Sequence, residues 1–416
     1  EYDQDEGLLT IHNDLDHTDL SQYARVSWEV RCDGVVVDRG DIDLTDPVPP
    51  HTSVMVRCEP RIPHAGKCHL LVTHRLARPE PLLPAGHVLG FDEVPLRNAD
   101  GRHRRVAELA HRPTGRGSVQ VARKGTRIDV ATAGLRCTID TRTGLPTALS
   151  VNDREVLERP VELNIWRAPT DNDRHIRRQW ERAGYDRAGA QAYSTRIIRR
   201  RGAVAVHAEM SVSATALQPA LRVRAVWTVT ESGELAVNLR ARKSEGFPCL
   251  PRFGLRLFLP SSMHQVAYYG LGPGESYVDK HRSCRHGEFT TTVAELAAEL
   301  HRGCIRPQES GSRADCDYVT LSDGDLGLTA VGLRPFSFNV SAYTQEELTR
   351  TAHDVELAEC GSTVLCLDGA MAGIGSASCG PELRPEYRVD GGALGLDLVL
   401  LPTLFSPVPA QHNEVN

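Results

Sequence analysis

The chain has 416 residues, 40% of them apolar and 25% charged, with a formal net charge of −6. This is the composition of a globular protein long enough for two or three domains. It excludes a nucleic-acid surface: acids and bases are intermixed, and Arg102-His103-Arg104-Arg105 and Arg199-Arg200-Arg201 lie in no basic domain. No run of about 18 apolar residues occurs, so no membrane span is expected. The eleven cysteines form no CxxC pair, which reads as reduced thiols in a cytoplasmic protein rather than a disulfide framework or a zinc site. The acidic start Glu1-Tyr2-Asp3-Gln4-Asp5-Glu6 is unlike a signal peptide, and without an initiator Met the expectation is a fragment or processed chain.

Residues 1–97 read as short strands. Val26, Trp28 and Val30 alternate with polar residues, the period of a half-buried strand, and Asp33-Gly34 turns the chain into Val35-Val36-Val37. Further strands are expected over 53–58 and 68–74, giving a small β-sandwich of immunoglobulin type. Residues 98–118 are polar and aperiodic and read as a linker. From 119 to 402 strand signals persist, with clear alternation in 221–227 and 254–259, which suits a large two-sheet sandwich. Helical spacing is confined to 174–184, 293–301 and 345–353, so the strand-helix alternation of a barrel enzyme is absent. Residues 403–416 read as a tail. The fold class expected is therefore all-β.

Loops hold the chemistry. Trp166-Arg167-Ala168-Pro169-Thr170-Asp171-Asn172-Asp173 closes a strand-like run. Asp173 or Asn172 is expected to cap the helix that follows, while the acids could accept hydrogen bonds from sugar hydroxyls. The glycines of 270–274 invite a phosphate-loop reading, but Pro273 and the missing Gly-Lys-Ser/Thr ending argue against it. A rigid loop presenting Glu275, Tyr277 and Asp279 fits better. Pro307-Gln308-Glu309 and Gly373-Ile374-Gly375 supply two more loops. Cys379 reads as a small apolar filler rather than a nucleophile. Glycoside hydrolysis needs two carboxylates across the bond, and spacing alone selects no pair among 54 acids.

Taken in order, these loops resemble the C-terminal part of the family 2 β-galactosidases of the large bacterial type. The matching residues are 167–173; Gly270-Leu271-Gly272-Pro273 with Glu275, Tyr277 and Asp279; Pro307-Gln308-Glu309; Phe338-Asn339-Val340-Ser341 with Tyr343; and Asp368-Gly369 leading to Gly373-Ile374-Gly375. The resemblance implies a final supersandwich similar to galactose mutarotase, packed against a separate barrel and lending loops to its active-site rim. It places Arg167, Asp171, Asn172, Asp173 and Cys379 at a galactoside-binding rim, with Glu275, Tyr277, Asp279 and Glu309 as loop support. Cys379 stands where some members place a substrate-stacking Trp, and a thiol offers a sugar no ring face.

The barrel with its catalytic glutamates is outside this chain. No catalytic residue, metal ligand or cofactor is therefore expected here, and Mg and Na are implied only for that barrel. The implied partners are a galactoside and a barrel-containing chain or domain, in a homo-oligomer of the full enzyme. Two other readings stand beside this one. The first is a non-catalytic carbohydrate-binding module. The second is a mutarotase-like epimerase using His175 or His353 with a carboxylate.

Overall fold

Period-two alternation of apolar and polar residues recurs along the chain, and among the described residues the regular structure is mostly antiparallel strand. The computed structural model describes residues 1–110, 118–300 and 305–405. Two units emerge: Glu1–Ala110 with Arg285–Glu288, and His111–Cys284 with Phe289–Asn416.

The first unit has a three-stranded sheet, ordered Tyr2–Asp3, Leu8–His12, Ser53–Arg57. Its four-stranded sheet is ordered Val35–Ile42, Ala24–Cys32, Cys68–Leu76, Val88–Leu96. Leu9, Ile11, Val26, Val30, Leu70 and Val72 fill one core, with Trp28 partly buried against it. At the hairpin, Asp33 and Gly34 take φ of 48° and 85°, as a tight turn between twisted strands requires. A Cβ on Gly34 would stand 2.7 Å from the Glu288 amide nitrogen, so only glycine fits. The expected linker is partly structured: Arg104–Ala110 is a helix of this unit. At seven residues it is too short for a helical period to stand out in the sequence. Residues 111–117 of that linker lie outside the described residues.

The second unit pairs a five-stranded sheet, Gln120–Lys124 to Arg154–Glu155, with a twelve-stranded one. One apolar cluster joins them, from Ile128 and Leu149 to Trp227, Leu255 and Leu398. Leu221–Thr230 alternates as expected, with Leu221, Val223, Ala225, Trp227 and Val229 inward. Arg252–Pro260 does not, because both of its faces are covered. Phe258 packs on Val364 and Cys366 behind the sheet, and Arg256 meets Glu162 and Glu346 there.

The three helical patterns appear as Arg177–Arg182, Val293–Leu300 and Gln345–Arg350; the first and last are shorter than their patterns, and residue 301 of the second lies outside the described residues. Thr344 starts the last, its hydroxyl accepting the Glu347 amide at 3.2 Å. Of the expected tail, Thr403 and Leu404 complete the strand Leu394–Leu404, and 406–416 lie outside the described residues. No helix among the described residues is long and apolar enough to cross a membrane.

Candidate functional site

Within the second unit, loops separated by as many as 206 residues are drawn together by charged groups that strands bury. Arg167 is 1% exposed at the end of an apolar run. Its guanidinium donates to Asp173 at 3.1 and 2.7 Å, and to the backbone carbonyls of Ala372 and Gly373 at 2.7 and 3.0 Å. It also lies over the Trp180 ring, 5.4 Å from the centroid. One side chain thus ties residues 167–173 to 372–373.

Asp173 does not cap the helix that follows, whose N-cap Ile176 has no side-chain bond. It reaches backward instead, accepting from the Thr170 amide at 3.0 Å and its hydroxyl at 3.1 Å. The result is a single tight turn over Asp171–Asp173. On that turn Asn172 donates to the Ile374 carbonyl, and the Asp171 amide donates to Gln308 at 3.0 Å. The Asp171 side chain points outward, and its carboxylate has no hydrogen bond or ion pair among the described residues.

The loop Gly272–Asp279 is a second clamp. Asp279 accepts from the Ile374 and Gly375 amides at 3.0 and 2.8 Å, a backbone cradle for a carboxylate. A Cβ at Gly373 would overlap that carboxylate, so the close approach needs glycine there. Glu275 accepts from the Gly311 amide at 2.8 Å and pairs with Lys280. Tyr277, 1% exposed, accepts the Ser312 amide on its hydroxyl at 3.3 Å. Burial raises its pKa well above the ordinary value.

Below these loops lies a third charged group. Arg252, fully buried, donates to Asp368 at 3.0 Å and to Glu309 at 3.3 Å. Two carboxyls share one cation. Burial raises both, against the pull of Arg252, and Glu309 is pushed up to about 6. Asn339 donates to the Ser310 carbonyl beside it. Arg252 escaped the sequence reading, although a lone charge within Leu250-Pro251-Arg252-Phe253 is the mark of a buried ion pair.

The turn Asp171–Asp173 separates two clefts. The larger, about 780 Å³, is lined by Asp171, Asn172, Glu275, Asp279, Glu309 and Tyr343 among others. The smaller, about 550 Å³, is lined by Arg167, Asn172, Asp173, His175 and the exposed Cys379 among others. The residues expected at the rim therefore divide. Asp171, Asn172 and Cys379 border the clefts, and Arg167 and Asp173, which also line the smaller one, are spent on each other. Glu275, Tyr277, Asp279 and Glu309 all brace loops. Of the two histidines an epimerase could use, His175 lines the smaller cleft together with Asp173, and His353 is in the lining of neither.

A family described as the β-galactosidase small chain matches residues 131–400, and one described as β-galactosidase domain 4 matches residues 9–97. A β-galactosidase of Actinobacillus pleuropneumoniae is 35% identical over 381 residues, covering 92% of this chain. Others come from Staphylococcus xylosus, 38% identical over 56% of this chain, and Vibrio cholerae, 28% identical over 96%. This chain spans 36%, 23% and 38% of those three proteins' own lengths. Among solved structures, galactose 1-epimerase from Lactobacillus acidophilus aligns with a TM-score of 0.39 at 10% identity, over 70% of this chain and 100% of that one.

Proposed function

Since the chain belongs to the β-galactosidase small-chain family, we propose that it is the C-terminal part or small chain of a β-galactosidase. On this reading it takes part in hydrolysing terminal β-D-galactosides such as lactose, together with a barrel domain that carries the catalytic glutamates. Mg and Na belong to that barrel, and the full enzyme is a cytoplasmic homo-oligomer.

The observation that carries the proposal is the free carboxylate of Asp171, held on a turn whose other polar groups are engaged. A charged acceptor on a rigid turn binds a sugar hydroxyl at little ordering cost. Asn172 fixes the neighbouring loop, and Cys379 borders the adjoining cleft. These groups would orient a galactoside rather than cleave it. Cleavage needs two carboxyls placed across the glycosidic bond, and Glu309 is 4% exposed and committed to Arg252.

The test is hydrolysis of a chromogenic galactoside by the chain alone and after mixing with a barrel-containing chain. The expected result is no turnover alone and turnover on mixing. Turnover by the chain alone would overturn the proposal. Galactose binding without turnover in either case would favour a carbohydrate-binding module.

A further inference from the structure

The first unit holds a cluster that the galactoside reading does not use. In its four-stranded sheet Leu70 and Val72 point into the core, so His69 and Leu71 lie on the opposite face. The register sets His69 opposite Pro95 and Leu71 opposite Glu93, which makes His69 and Glu93 diagonal neighbours on that outer face. An outer-face histidine is normally solvated, yet His69 is 5% exposed. Residues 285–288 belong to this unit and bring His286 onto the same place. Its ring stacks on that of His69, centroids 4.3 Å apart and planes 4° from parallel.

Glu93 accepts the His286 amide at 2.9 Å, and its carboxylate lies 2.6 Å from His286 Nδ1. The two imidazoles and the carboxylate each present one donor atom, all within 4.8 Å of one another. Burial works against the Glu93 carboxylate, but the His286 hydrogen bond and the imidazole charges outweigh it and lower its pKa.

We propose that His69, Glu93 and His286 form a binding site for a divalent transition metal of the zinc class. Such an ion takes imidazole and carboxylate donors at about 2.0–2.2 Å in a tetrahedron, so donors stand roughly 3.3–3.5 Å apart. The close Glu93–His286 pair opens and the widest gap closes by about an ångström, movements within reach of side-chain rotation. Three protein ligands leave a fourth position for water. The two imidazoles select zinc over magnesium, which prefers oxygen ligands and retains its waters. Charge points the same way. Arg31 shares this face, paired with Glu29 at 2.8 Å. Arg285 lies within electrostatic reach of both Glu93 and Glu29. With arginines competing for the acids, a cation held by charge alone gains little here. One held by nitrogen lone pairs does. The ion would fasten residues 285–288 to the sheet face through ligands from three separate segments.

The test uses the full chain, stripped with a chelator and titrated with zinc chloride by calorimetry. Expected is one equivalent bound by the wild type, at least tenfold weaker binding in His286→Ala and in Glu93→Gln, and no competition from millimolar magnesium. Cobalt(II) added to the stripped wild type should give the intense visible bands of a four-coordinate site without a sulfur-to-metal band in the near ultraviolet. This reading stands even if His286→Ala fails to fold. No zinc bound by the wild type, equal binding in wild type and Glu93→Gln, or a thiolate band from cobalt would each overturn the proposal.

Discussion

Arg167 and Arg252 are both fully buried in the second unit, but one guanidinium meets a single carboxylate and the other meets two. Arg167 uses its remaining donors on the carbonyls of Ala372 and Gly373, so its charge is matched and its geometry fixes backbone. Arg252 faces Asp368 and Glu309, and burial, with a smaller push from Asp368, raises the Glu309 pKa against the pull of Arg252. The balanced pair works as a clamp. The unbalanced trio contains a carboxyl whose charge changes near pH 6. Neither leaves an open charge for a sugar. The acceptor proposed for a sugar is Asp171, on the turn the clamp supports.

The comparison can be broken most severely at Arg252. Arg252→Ala leaves two carboxyls buried without their cation, and should cost about 3–5 kcal/mol in chemical denaturation. Asp173→Ala should cost less, about 2 kcal/mol by the same measurement, because Arg167 keeps two carbonyl acceptors when its carboxylate is lost. It should also unseat the 372–373 loop, seen as faster amide exchange at Ile374 and Gly375. Equal losses in stability for the two variants would remove the distinction drawn between them.

Glu309 sharpens it through pH. Its folded pKa of about 6 lies above the ordinary 4.5, so between these values the folded chain holds a proton that the unfolded chain has released. Stability from this group is therefore full at low pH and lost as pH rises through 6. The gap corresponds to roughly 2 kcal/mol. Glu309→Gln lacks this titration, so relative to wild type it should gain about 2 kcal/mol between pH 4 and pH 7.5. A difference that stays constant over that range would show Glu309 to be an ordinary ion-pair partner.

Much of this was legible in the residues. Alternation gave the strands of both units, and five ordered loop matches gathered Asp171, Asp279, Glu309 and Gly373 into one region. What the residues hid were relations across long separations. The Arg167–Asp173 pair spans six residues, but its purpose, to hold Ala372 and Gly373, depends on strands meeting two hundred residues later. For the same reason Asp173 looked like a cap for the helix after it, when its partners lie before it. Arg252–Pro260 looked one-sided, since nothing in its own sequence announces the layer that covers Phe258. His69 likewise gives no local sign that residues 285–288 lie over it.

In the proposed role Asp171 serves the substrate, while Arg167 and Asp173 serve the turn. Asp171→Ala, assayed with its barrel-containing partner, tests it directly. Because the side chain is exposed and unengaged, the melting temperature should stay within about 1–2 °C of wild type. The Michaelis constant for a chromogenic galactoside should rise roughly tenfold, the worth of one hydrogen bond to a charged acceptor. An unchanged Michaelis constant in a stable, active complex would contradict the claim and take this turn out of the galactoside site.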